Sequence, residues 1–582
     1  MDTSIVRQSR CLVRLFKRLL PLSVLLLAAC GGIPTTSAIH QGEDIIGGSD
    51  QFIRVIARPP VANMDPDAII HGFLDACADS TSTFAIARQY LTTKAAAAWN
   101  PATGIKIYDS NSMSLTESGD VVKLAAPLDS SVSADGHLTF SSHAETVFAN
   151  FGLVKDTGNQ WRISSVDNGL LLSRSDFDRS FRPFSVYFLN EDSTALIPHS
   201  IVLPASSVGT ATSVTRALLE GPPTSLAQAA HSAFPSGTKL SYGSVPVNSG
   251  IAQVDLSAEV LAATKVERSE LSAQLVSTLS AIPGVTGVRV TVLGQPLKIP
   301  GVKNIQTQAD WTRYSIRPNP DRVGTFVVRD SQLIRLDDKR EVVVTSVSAA
   351  ALAPLGSAAV SSDGQSFAAT TSDGKSLLVA SSLGNGLTRI AQGEYLSKPS
   401  WDRQGNIFVA DNGHGILSYH RDGTKVPVTV EATPIGDVIA IRQIVVAHDG
   451  TRVALNYRSG TSDSLAVGIL VHEDNGIRIT QIHRVERSIV TIADIAWSGP
   501  NTIEVLGGNT QTYQELLSVD VSDGQVTSEA APLGAQSIAN DGYGNILVGV
   551  SGTTREAVVK KAFGPWEAFV LGRSPFTGTM TK

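Results

Sequence analysis

Cysteine is almost absent from this chain, at three in 582 residues. Cys11 and Cys30 fall within the first thirty positions, so Cys77 is the lone thiol of the remainder. That count excludes an intrachain disulfide framework and any cysteine-based zinc site. Charge is also sparse: Asp, Glu, Lys and Arg make up 17% of the chain and form neither an acidic nor a basic tail. Acids outnumber bases, 53 to 47. Affinity for nucleic acid comes mainly from Lys and Arg neutralising phosphates, so the expectation is no nucleic acid and no polybasic membrane patch. The apolar stretch Leu19–Leu27 is broken by Pro21 and Ser23. It is shorter than the roughly 20 residues that a membrane-spanning helix needs. Gly-rich phosphate loops, His-Glu-x-x-His and nucleophile elbows are missing. The 11 histidines do not cluster at metal-ligand spacing. The expectation is a chain that is not an enzyme, with no catalytic set, cofactor or metal, although distant acids can still meet in a fold.

What is present begins with a leader. Arg7, Arg10, Arg14, Lys17 and Arg18 precede the apolar stretch, and Leu27-Ala28-Ala29-Cys30-Gly31-Gly32 closes it. These flanks predict a signal peptide over residues 1–29. Leu-Ala-Ala-Cys at this place resembles the lipobox of bacterial lipoproteins. The resemblance implies cleavage before Cys30, an S-diacylglyceryl group on its thiol and an acyl group on its new amine. Residues 30–50 then form a lipidated tether. A single acyl chain binds a membrane marginally, whereas two hold it stably at about 0.8 kcal/mol per buried methylene. The expected location is the outer face of the cytoplasmic membrane, with the membrane itself as one partner. An ordinary secretory signal with a chance cysteine is the alternative. Cleavage would remove five basic residues and one acid, leaving 42 basic against 52 acidic residues.

The length predicts about three domains. Residues 51–180 read as α+β. Asp65-Pro66 is a helix start, and Ile69, Ile70, Phe73, Leu74 and Cys77 follow at helical spacing. A second helix is predicted over Phe84–Trp99. Short strands come next, at Ile105–Tyr108, Val121–Leu124, His137–Phe140, Val147–Val154 and Trp161–Val166. Helices first and a curved sheet afterwards looks like the cone of the nuclear-transport-factor-two-like superfamily. Phe73, Trp99 and Tyr108 either line a pocket there or are plain core.

Residues 184–300 open on the alternating strand Phe184–Leu189. A helix from about Thr212 is stopped by Gly221-Pro222-Pro223. A hairpin, Leu240–Val247 with Ile251–Leu256, turns at Asn248-Ser249-Gly250. A helix over Arg268–Ala281 and the strand Val285–Leu293 follow. Leu218-Leu219-Glu220-Gly221-Pro222, Val254-Asp255-Leu256-Ser257 and Gln274-Leu275-Val276-Ser277-Thr278-Leu279 resemble the GerMN domain of spore-germination and lipoprotein families.

Residues 305–582 are strands and turns with a loose repeat. Turn residues Gly364, Gly405, Gly450, Asn501 and Gly544 recur every 41 to 51 positions, each ahead of an apolar run. That is the blade period of a β-propeller, here with five or six blades. Thr325–Arg329 and Leu333–Leu336 add an earlier strand pair. Asp363, Asp402, Asp449 and Asp541 recur with the turns, as turn chemistry or as calcium ligands. His420-Arg421-Asp422 matches a kinase catalytic loop in its letters alone.

Lipobox, α+β domain, GerMN-like domain and propeller in that order resemble the LpqB family of actinobacterial lipoproteins over nearly the whole chain. The resemblance implies a role in the cell envelope. It also implies, as partner, the extracytoplasmic domain of a two-component sensor histidine kinase of the MtrB type. An envelope-polymer hydrolase using paired carboxylates in the propeller funnel is the enzyme alternative. A solute-binding lipoprotein is the third, and the strand-rich repeats argue against its two-lobed architecture.

Overall fold

The computed structural model describes residues 57–579, except 80–82, 142–144, 206–208, 316–322, 338–339, 347–353, 382–384, 413, 432–437, 486–488, 509–513, 542–543, 552–555 and 562–563. The leader, Cys30 and the tether lie outside the described residues. From Arg54 onward the chain forms one compact unit.

Helix α1, Pro66–Cys77, starts where Asp65 accepts a hydrogen bond from the Ala68 amide at 2.8 Å. Its apolar stripe, Ile69, Ile70, Phe73, Leu74 and Cys77, shares one core with Leu124, Phe151, Ile163 and Leu172. Each such side chain contributes about 1.5–3 kcal/mol relative to exposure. Burial pushes the Cys77 thiol far up, which makes it an inert packing residue. The predicted helix over Phe84–Trp99 is instead broken in two. A 3-10 turn covers Ala87–Tyr90, Leu91 is extended, and α2 begins only at Thr93 and runs to Ala98. Thr92 explains the break: its side chain accepts from the Ala95 amide, and its own amide is held by Ile163 O at 2.8 Å. The sheet runs in the order Trp161–Ser165, Thr146–Lys155, Val121–Val132, Ile105–Tyr108, Leu170–Ser173, with the last pair parallel. Val121–Val132 is longer than predicted and also pairs with Ser114–Ser118 and Leu138–Phe140. A short helix, α3 (Arg174–Ser180), leads out of this domain.

In the second domain Phe181–Asn190 pairs antiparallel with Leu196–Pro204. Helix α4, Thr210–Glu220, ends at Gly221, whose φ of 89° only glycine adopts freely. The predicted hairpin turns at Ser249-Gly250, both at positive φ, but its first strand is only Val247–Asn248. Helix α5, Lys265–Ser280, is started by a Thr264–Glu267 capping box and connects the parallel strands Ile251–Leu256 and Gly287–Val292. The GerMN-like motifs are structural staples. Gln274 donates to Tyr187 O at 2.9 Å, and Thr278 accepts from the Tyr187 amide at 3.0 Å, so α5 docks on a strand backbone. Asp255 accepts from Thr291 at 2.5 Å and from the Gly294 amide at 2.8 Å. Burial alone would raise its carboxyl, but these bonds and one from Ser241 outweigh burial and lower it.

The remainder forms six sheets among the described residues. Blade one holds Val323–Arg329, Gln332–Asp337 and Arg340–Ser346, and its innermost strand is Arg573–Thr579 from the far end of the chain. Phe576 stacks on Phe326 at 5.0 Å and seals that joint. Blades two to six have inner strands Leu355–Val360, Ser400–Trp401, Val438–Val446, Thr491–Trp497 and Ala535–Asn540. The apolar run after each repeat turn is therefore the second strand, buried between blades, and the axis is lined by the strand before the turn. Blade four carries an extra outer strand, Val428–Val430.

The second domain seats its hairpin turn on the repeat turns of blades three and four. Arg403 donates to Thr194 Oγ1 at 3.1 Å, Asn190 to Asp449 O at 3.3 Å, and Asn501 of blade five to Ser185 at 3.0 Å. The first domain reaches blade five, where Arg174 donates to Asp523 O at 2.9 Å. His137, His199 and His483, one from each domain, line a cavity of about 110 Å³ at this junction. The His137 and His199 rings stack at 5.4 Å. Burial, then the neighbouring His137, pushes His199 down to about 4. Burial also lowers His137 and His483.

Two outcomes are expected. Phe576→Ala should cost about 3–5 kcal/mol in denaturant unfolding, because it empties a buried site at the ring joint. Acid should also weaken the junction. The unfolded chain protonates His199 below its ordinary 6.5, while the folded chain resists until about 4, so stability falls as pH drops through that window. The loss at pH 5 is on the order of 2 kcal/mol. Asp523, which burial pushes up to about 6, titrates with the opposite sign, so the effect is read as the difference in urea midpoint between wild type and His199→Gln. A difference that does not change between pH 7 and pH 5 would contradict it.

Candidate functional site

The propeller axis opens away from the second domain in a mouth of about 590 Å³. Ser357, Lys398, Gln443, Asp494 and Ser537 each stand three residues before the end of an inner strand, and all five line the mouth. The ring they form is polar because inner strands here converge on solvent and not on another sheet. Lys398 and Asp494 cross the axis as an ion pair at 3.1 Å. Asp494 is otherwise satisfied by Gln443 at 2.6 Å and by the amides of Ile495 and Ile538 at 2.9 and 2.8 Å. Lys398 also donates to Ile538 O at 2.8 Å. Lys398 also lines a second cavity, of about 520 Å³, on the side of the second domain. Two large apolar side chains are exposed on loops of the mouth face, Tyr395 at 60% and Leu533 at 100%.

The residues singled out by sequence fall elsewhere. Asp363 is engaged by Ser361, the Gln365 amide and Arg421 at 2.6 Å, which accounts for Arg421 in His420-Arg421-Asp422. Asp422 accepts from the Thr424 amide in a turn. Asp402 holds Asn406 and His472, Asp449 holds Thr451 and Arg452, and Asp541 holds Asn545. All four repeated acids serve turns and ion pairs. Among the described residues no group of three His, Cys, Asp or Glu could hold a metal ion. Among the described residues that line the mouth, Asp494 is the one acid. In the first domain Phe73 borders a cavity of about 220 Å³, while Trp99 and Tyr108 are buried in packing, Trp99 edge-on to Phe73 at 5.4 Å. The axial residues were missed, although a signal existed: a polar residue recurs in register ahead of each repeat turn.

These features define a multidomain β-propeller protein with two α+β domains seated on one face of the ring. Residues 59–178 match the family described as "Lipoprotein LpqB, N-terminal domain", residues 185–298 "Sporulation and spore germination", and residues 331–567 "Lipoprotein LpqB beta-propeller domain". The chain belongs to the LpqB family of lipoproteins. It is 28% identical to Lipoprotein LpqB of Thermobifida fusca over 88% of this chain and 90% of that one. It is 27% identical to the namesake in Streptomyces coelicolor over 89% and 90%. Among solved structures it is similar to the tandem GerMN domains of GerM from Bacillus subtilis, at 22% identity over 22% of this chain and 46% of that one, with a TM-score of 0.19. No helix among the described residues is long and apolar enough to cross a membrane.

Lys398→Met should leave Asp494 buried without its counter-charge. We expect a loss of about 3–5 kcal/mol by thermal or urea unfolding. The double variant Lys398→Met/Asp494→Leu should recover part of that loss, and equal losses in the single and double variants would argue against the pair.

Proposed function

We propose that this is a lipid-anchored envelope protein that acts by contact. Cys30 carries the lipid, and the anchor holds the chain at the outer face of the cytoplasmic membrane. The open face of the propeller engages the extracytoplasmic domain of a two-component sensor kinase. The observation that carries the reading is the division of the ring's two faces: one takes the second domain, and the other presents Tyr395 and Leu533 to solvent. An exposed tyrosine is the kind of side chain that anchors protein interfaces, and Leu533 adds apolar surface. The kinase as partner comes from the family resemblance. A modulator need only bind one kinase state better, and a tenfold preference is about 1.4 kcal/mol. Tethering beside the membrane raises effective concentration, so a weak contact suffices.

Two measurements test this. Cys30→Ser should abolish labelling by an alkyne fatty acid and release the chain from the membrane fraction, and unchanged labelling would refute the anchor. The kinase reconstituted in liposomes should change its autophosphorylation rate when the lipidated chain is added, and Leu533→Asp should reduce the effect at least tenfold. No binding and no change in rate with folded protein would refute the kinase contact. Release of fragments from purified peptidoglycan would favour a hydrolase instead.

A further inference from the structure

We propose that the propeller mouth binds a small sugar acid, a hydroxyl-rich ring bearing a carboxylate. The walls are set up for a ligand. Asn456 and Ser574 are 3% and 6% exposed and line the mouth. Asn456 Oδ1 and Ser574 Oγ have no hydrogen-bond partner among the described residues. Buried polar atoms are nearly always paired, and one left unmade is costly, so such atoms mark where a ligand's hydroxyls fit. The Asn456 amide nitrogen donates to Ile492 O at 3.4 Å, which leaves the oxygen as its unpaired atom among the described residues. Ser574 sits at a φ of 44°, a strained position for a residue other than glycine and one that recurs at binding sites.

Charge and shape select the class. Arg442 and Arg573 line the mouth, and the guanidinium fork matches a carboxylate. Arg442 shares Asp463 with Arg458, at 3.6 and 3.2 Å, and Asp494 is paired with Lys398, so these groups together carry more positive than negative charge in a chain whose overall charge is −6. Tyr395 at the rim offers an exposed ring as a plate for the apolar face of a sugar. The volume, about 590 Å³, lies within the 300–1,000 Å³ range of small-molecule sites. Asn456 Oδ1 can only accept a hydrogen bond, so it calls for a donor such as a sugar hydroxyl, which an anionic oxygen does not supply. The site goes beyond the kinase contact and does not depend on it.

The test is calorimetric titration of the full lipidated chain in detergent with glucuronate, glucose and inorganic phosphate, with no kinase present. Glucuronate should bind one to one, with glucose and phosphate at least tenfold weaker. Arg442→Gln and Tyr395→Ala, both at the exposed rim, should each weaken glucuronate about tenfold while circular dichroism stays unchanged. No glucuronate binding at millimolar ligand, or binding that both variants leave intact, would overturn the site. Phosphate binding as tightly as glucuronate would overturn the sugar-acid class. Because the kinase is absent, failure here leaves the contact reading standing, and the reverse holds as well.

Discussion

The ring depends on one pairing, that of Arg573–Thr579 with Val323–Arg329. A row of sheets around an axis has two open edges until its ends meet, and an open edge invites pairing with other chains. Here the last strand becomes the inner strand of the first blade, and Phe576 against Phe326 fills the joint. The same strand delivers Arg573 and Ser574 to the mouth. Closure and the candidate site are therefore one event: without the pairing, the mouth would lose part of its wall along with the ring.

The repeat turns serve at two levels. Locally, Asp402 and Asp449 hold the amides of Asn406, Thr451 and Arg452, which stabilises tight returns between the first two strands of a blade. Collectively, the turns form the edge on which the second domain rests. Asp402 binds His472, which also faces Glu191 of that domain at 3.6 Å, and the carbonyl of Asp449 takes Asn190. One face of the propeller is thereby committed to intramolecular packing, and the mouth opens on the opposite face.

The pair of Lys398 and Asp494 shows how an ion pair survives near an axis. Desolvating two charges costs several kcal/mol, and Coulomb attraction offsets this only when further hydrogen bonds complete the geometry. Gln443 and two backbone amides complete it. At the three-domain junction the chain uses the opposite device. His137, His199 and His483 are kept neutral by burial, so the contact holds near neutral pH and weakens in acid.

What the sequence determined by itself was local chemistry and its repetition. Asp65-Pro66 start α1, Ser249-Gly250 turn a hairpin, and Thr264 with Glu267 opens α5, because caps and turns involve neighbours only a few positions apart. The spacing of the turn residues disclosed the propeller for the same reason. One local signal misled: apolar spacing suggested a helix through Thr92, whose side chain instead caps a later start. Only the tertiary structure decided the rest. The inner strands are short or interrupted by polar residues, as in Ser400–Trp401 and at Asp494, so they carry little apolar pattern. The strand that closes blade one, the ion pair across the axis, the wall of the mouth and the histidines at the junction each bring together residues far apart in the chain. Such meetings are set by the packing of whole sheets and domains, and no spacing along the chain encodes them.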